Sequence, residues 1–82
     1  MAKITEIARD SRNGGCPAVL DVEGEVRLVD DLAIPDEVAL VVGYGVDDPD
    51  VVSQVTLDRG ETVIAVPASL ILTAADQIRA RR

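Results

Sequence analysis

The chain carries one thiol, Cys16, and no histidine. A cysteine nucleophile needs a base or a strong positive field to hold the thiolate. The one cation near it in sequence is Arg12, which would lower its pKa only slightly, so Cys16 is read as a small apolar residue near a turn. Zinc usually takes four Cys or His ligands, and one cysteine without histidine does not supply them. The adjacent pair Asp30/Asp31 has the residue types for acid–base work. Neighbouring loop acids are ordinarily solvated, however, and nothing implies an apolar pocket to raise one pKa above the other. Asp47-Asp48-x-Asp50 has the opening of a calcium loop but lacks the twelve-residue pattern and its closing Glu. Gly43-Tyr44-Gly45 lacks the continuation and the following helix of a nucleotide-binding turn. Arg79, Arg81 and Arg82 sit where a helix would end, a position that favours cations without any ligand. The residues therefore assign no catalytic, no cofactor-binding and no metal site, and the expectation is a protein that is not an enzyme.

Charge sets the next boundary. The chain has 82 residues, 8 Lys+Arg and 15 Asp+Glu, for a net charge of −7. Residues 21–61 alone hold 12 acids and 2 bases. Such a belt repels phosphate backbones, which require clustered Lys and Arg, so nucleic acid is not an expected partner. A basic protein partner or plain solubility fits better. No stretch approaches the roughly 18 apolar residues of a membrane span, and residues 1–12 lack the apolar run of a signal peptide. A cytoplasmic address is expected, in keeping with one unpaired cysteine.

The elements must be built from aliphatic side chains. Hydrophobic residues make up 48% of the chain, with 13 Val, 7 Leu and 6 Ile against a single aromatic, Tyr44. Residues 3–11 place Ile4, Ile7 and Ala8 at helical spacing, which favours a short helix; a strand arm is the competing reading. Asn13-Gly14-Gly15 ends whichever element precedes it. Residues 17–29 read as a hairpin with strands 17–22 and 25–29. A Val22-Glu23-Gly24 loop would set Leu20 opposite Val26 and Ala18 opposite Leu28, with Gly24 in the left-handed position. Pro35 breaks the connection that follows. Residues 38–42 form a β-branched run expected as a buried central strand, with Gly43-Tyr44-Gly45 as its flexible exit or a bulge. Asp48 as cap and Pro49 at the first helical position favour a short helix at 49–55. Residues 62–66 read as the second buried strand. A helix over 67–80 aligns Leu70, Ile71, Ala74 and Ile78 on one stripe and leaves Leu72 off it.

These elements predict one domain over 1–82, of α+β class, with a small, mostly antiparallel sheet and the C-terminal helix covering one face. The run Cys16-Pro17-Ala18-Val19, the Gly24 hairpin, Asp48-Pro49, Gly60-Glu61 and Val66-Pro67 together resemble a group of small uncharacterised actinobacterial proteins. Those share a C-P-x-hydrophobic start, a D-P-x-x-hydrophobic segment and a G-E-x-x-hydrophobic-x-V-P ending. They are described as hypothetical or as candidate partners of developmental regulators. The resemblance implies a regulatory role and supplies no active-site residue.

The functional expectation is a non-enzymatic regulatory or adaptor protein that works through protein contacts. The alternatives are a self-assembling structural subunit and an acidic antitoxin or mimic that binds a basic partner. A domain of this size buries only about 60% of its unfolded surface and is marginal without staples or partners. With one cysteine and no disulfide, a homo-oligomer is the expected route to stability.

Overall fold

The structure is a computed structural model and describes residues 2–10, 17–32 and 37–81. Cys16, Arg12, the Asn13-Gly14-Gly15 stop, Pro35 and Arg82 lie outside the described residues.

The first element is a strand, β1 (Lys3–Arg9), and not a helix. Its antiparallel pairing with β2 (Ala18–Glu23) shifts register between Glu6 and Ala8, where β1 carries a bulge. That extra residue explains the misleading spacing. A strand alternates faces every residue, but a bulge inserts one position and resets the phase. Ile4, Ile7 and Ala8 therefore imitate a helical interval on an extended chain. The Asp10 N–H donates to the Pro17 carbonyl at 3.0 Å and ties together the two ends of the connection from β1 to β2.

Strand β2 is the centre of a three-stranded antiparallel sheet in the order β1-β2-β3, where β3 is Ala39–Val42. This overturns the 17–22/25–29 hairpin. Both hydrogen-bonding edges of β2 are already paired, one with β1 and the other with β3, so no edge remains for residues 25–29. Leu20 lies opposite Glu6 and Leu40, and Ala18 opposite Arg9 and Val42. Gly24 does adopt positive φ, at +105°. The chain after it runs irregularly into a 3-10 turn at Val29–Asp31, where Asp30 and Asp31 both have positive φ. Aspartate tolerates that region better than most side chains. The run at 38–42 forms β3, but at the sheet's edge rather than its centre, with Val41 and Val42 exposed.

Gly43 carries the chain from β3 straight into β4 (Tyr44–Gly45), which pairs with β5 (Ile64–Ala65) as a separate two-stranded ladder. Tyr44 and Gly45 are thus strand residues. The expected strand at 62–66 contracts to the two positions that have a partner, and both are exposed. Between β4 and β5, α1 (Pro49–Val52) starts as read: the Asp48 carboxylate accepts from the Asp50 N–H at 3.0 Å, and Pro49 opens the helix. It ends before 55. Ser53 Oγ and Gln54 Nε2 donate to the Asp50 carbonyl, competing for a backbone acceptor in a segment of poor helix formers.

The C-terminal helix α2 (Ala68–Ala80) follows Pro67 at its N-cap. It lies on β1 and β2, and its Leu70 and Ala74 join Ala8 and Val19 in a small core, with Ile7 and Val66 packed against it. Of the expected stripe, Leu70 and Ala74 are buried and Ile78 partly so, whereas Ile71 is 57% exposed; Leu72, expected off the stripe, is 68% exposed. The Arg81–Asp21 ion pair pins the helix C-terminus to β2. The fold is α+β: a three-stranded antiparallel sheet, a two-stranded hairpin, a 13-residue C-terminal helix and a short helix.

Candidate interaction surface

The register of the three-stranded sheet sorts its side chains into two faces. Val19 belongs to the core under α2, so its register partners Ala8 and Val41 share that face. By alternation, Thr5, Asp21, Ala39, Lys3 and Glu23 lie on it too. The opposite face carries Ile4 beside Val22, Glu6 beside Leu20 and Leu40, and Arg9 beside Ala18 and Val42. This second face is apolar except for Glu6 and Arg9. Among the described residues no other helix or strand packs on it, because the sheet's one helical neighbour, α2, lies on the Val19 side. Ile4 is 53% exposed and Val42 44% exposed, while Leu20, Val22 and Leu40 are half-buried and Ala18 is buried.

The charged residues on that face neutralise each other. Arg9 Nε and Nη2 donate to the two Glu6 carboxylate oxygens at 2.5 and 2.9 Å, a bidentate fork. Hydrogen bonding to Arg9, helped by its charge, holds the Glu6 carboxyl below the usual carboxylate range. The bulge between Glu6 and Ala8 puts these two residues on the same face although they are three apart.

The residues singled out for chemistry serve caps, turns and ion pairs of the fold. Asp30 accepts from Arg59 at 3.1 Å, and Asp31 is 3.9 Å from Arg27, so the acidic pair is split between two arginines. Asp48 caps α1. Gly60 has φ +83°, and the Glu61 carboxylate accepts from the Asp58 N–H at 2.7 Å, which closes the turn before β5. Arg79 pairs with Asp76 and Arg81 with Asp21. All five described arginines thus face an acid of the same chain. The D-P, G-E and V-P motifs accordingly act as a cap, a turn and a helix entry. Among the described residues no group of three or more Cys, Asp and Glu is gathered closely enough to hold a metal ion. No helix among them is long and apolar enough to cross a membrane.

Among the described residues, exposed aliphatic side chains also include Ile71 and Leu72 on the outer side of α2, and Val51, Val55 and Leu57 after β4. Sequence reading missed the open sheet face because it needs β1 as a strand. The signal was present in Ile4 alternating with Thr5 and in Ala18, Leu20 and Val22 alternating along β2, but the bulge disguised the first half.

No family model matches the chain, and no curated protein or solved structure is similar to it.

Proposed function

We propose that this protein is a non-enzymatic regulatory or adaptor module that acts through protein–protein contacts and associates with itself. The observation that carries the reading is the number of large aliphatic side chains left exposed among the described residues, including Ile4, Val41, Val42, Val51, Ile71 and Leu72. Among the described residues the buried hydrophobic core is Ala8, Ala18, Val19, Leu70 and Ala74, a small set with which to offset the conformational entropy of folding. Apolar area still in water is the resource that association recovers, at roughly 25 cal/mol per Å² before the costs of binding. Self-association and a protein partner both draw on it.

The charge distribution bears on the kind of partner. The described arginines are occupied by acids, so they offer phosphates little free positive charge. Glu23, Glu25, Asp47 and Asp50 remain exposed, and a basic protein surface would be steered toward them. A self-assembling structural subunit is the second reading. The outer edges of β1 and β3 favour it, since among the described residues neither pairs with a further strand.

Sedimentation velocity of the full chain over a range of concentrations, with and without a basic protein such as a histone, tests the proposal. Reversible self-association into a discrete oligomer, and co-sedimentation that weakens with salt, are the expected results. A monomer at every concentration would remove the self-association, and binding to a DNA duplex in place of the basic protein would contradict the partner class. Unlimited growth of the sedimenting species would favour the structural subunit.

A further inference from the structure

We propose that residues 28–32 are a strap latched onto the turn at 58–61, and that the latch is a two-state device that opens while the three-stranded sheet stays folded. The proposal stands apart from self-association. It rests on contacts between two connecting segments that lie far apart in sequence, and on the backbone strain that opposes those contacts.

Two contacts close the latch. Arg59 Nε donates to the Asp30 carboxylate at 3.1 Å, across 29 positions of sequence. Beside this pair, Val29 and Leu32 pack over Gly60. A Cβ built on Gly60 would meet Leu32 Cδ1 at 2.8 Å and Val29 Cγ2 at 2.9 Å, so both side chains lie directly against the glycine. Its φ of +83° is a second reason for glycine at this position. The closure is shallow, since Val29 remains 60% exposed and Leu32 39% exposed.

Strain works against these contacts. Asp30 and Asp31 follow one another at φ 55° and 51°. Left-handed backbone disfavours an ordinary L residue by roughly fivefold to thirtyfold, with aspartate at the low end. The hydrogen bonds of the strap are long: Asp31 N–H to the Leu28 carbonyl and Leu32 N–H to the Val29 carbonyl are both 3.2 Å. The Arg27–Asp31 pair is 3.9 Å apart with both side chains almost fully exposed, and adds little. An exposed pair such as Asp30–Arg59 favours the latched form by about fivefold at most. Strain and ion pair are thus of similar size, and the packing over Gly60 decides the balance. A small difference in contacts tips such an element either way.

Opening changes the surface in a defined way. It lets Asp30 and Asp31 return to ordinary φ, releases the Arg59 guanidinium and the Asp30 carboxylate from each other, and uncovers Gly60 in the turn before β5. The sheet takes no part, because its strands are held through β2 and α2 packs on β1 and β2. A partner that engages Arg59 or Asp30 selects the open strap, and one that contacts the closed surface holds it shut.

NMR of the 82-residue chain tests the device. Relaxation dispersion of the backbone amides, with nuclear Overhauser effects from the Gly60 α-protons to the Val29 and Leu32 methyls, is measured on wild type, Asp31→Gly and Arg59→Gln. In wild type the expected result is one exchange process shared by 28–32 and 58–61 and absent from β2, with an open population of about 0.1–10%. Asp31→Gly relieves strain and should lower that population at least about threefold. Arg59→Gln removes the ion pair and should raise it about twofold to fivefold, with weaker Gly60 contacts. Wild type alone decides if a variant does not fold. Intact Gly60 contacts with no shared exchange would show a fixed turn and overturn the two-state device. Missing Gly60 contacts in wild type would overturn the latch itself. Exchange shared equally by β2 would mean opening of the whole domain, and variant shifts of opposite sign would refute the balance of strain against ion pair.

Discussion

Leu70 and Leu72 lie two residues apart on α2 and should respond to the same substitution in opposite ways. Leu70 is 4% exposed and Leu72 68% exposed. Leu70→Ala deletes three buried carbons, worth about 2.4 kcal/mol at roughly 0.8 per methylene. The cavity it leaves adds to this, giving a total of about 2–5 kcal/mol. The upper half of that range is expected, because the neighbours that would have to collapse into the gap are small: Ala8, Ala74 and Val19. A domain of this length has roughly 4–12 kcal/mol of stability in all, so the loss threatens the fold. Leu72→Ala removes the same atoms from water and replaces one good helix former with a better one, so its effect should stay within about 0.5 kcal/mol. Urea titrations followed by far-UV circular dichroism, at one fixed protein concentration, measure both. A Leu70→Ala midpoint equal to wild type would show that α2 is not docked through this residue. A Leu72→Ala cost matching that of Leu70→Ala would show that the outer face of α2 is covered in solution.

Gly43→Ala should destabilise by about 1–3 kcal/mol, because a Cβ there meets the Ala65 carbonyl oxygen at 2.7 Å and Val66 Cγ1 at 2.7 Å. Gly45→Ala, with nothing within 4 Å of its Cβ, should be nearly neutral in the same thermal melts; equal costs would refute the close crossing of Gly43 with β5. Glu6 should titrate below the usual carboxylate range in an NMR pH series, and Arg9→Gln should restore it; an unshifted Glu6 in wild type would break the fork. With a folded-state pKa below the unfolded one, Glu6 favours folding above the ordinary carboxylate range, and that small contribution disappears as the pH falls through its lowered pKa. Self-association should strengthen with added salt up to moderate ionic strength, since salt screens the repulsion between two −7 chains without weakening an apolar contact; dissociation by salt would point to a charge-driven interface.

Local chemistry made several elements legible from the sequence. Asp48 and Pro49 announce α1, Pro67 and the aliphatic spacing behind it announce α2, and the β-branched run at 39–42 announces β3. What could not be read depended on partners. Residues 25–28 have the alternation of a strand, but β2 has two edges and both are filled, so alternation alone did not make a strand there. Residues 62–66 have strand composition, yet only Ile64 and Ala65 find a ladder. Ile71 lies at helical spacing from Ile78 and still faces water, because α2 covers only β1 and β2 and is too narrow a contact to bury both flanks. The candidate interaction surface was hidden for a related reason: its β1 side chains appear in one row only once the bulge between Glu6 and Ala8 is known. The Asp48 cap of α1 is a property of a short segment, whereas the Asp30–Arg59 and Asp21–Arg81 pairs join residues 29 and 60 apart and depend on the fold.

The central proposal is that exposed apolar surface is covered by another copy of the chain. Sedimentation equilibrium of the wild-type protein at neutral pH, from about 1 to several hundred micromolar, tests it directly. The account predicts a reversible rise in weight-average mass from 8.7 kDa toward twice that value within this range. A mass fixed at that of the single chain throughout, with a melting temperature that does not change with concentration, would contradict it.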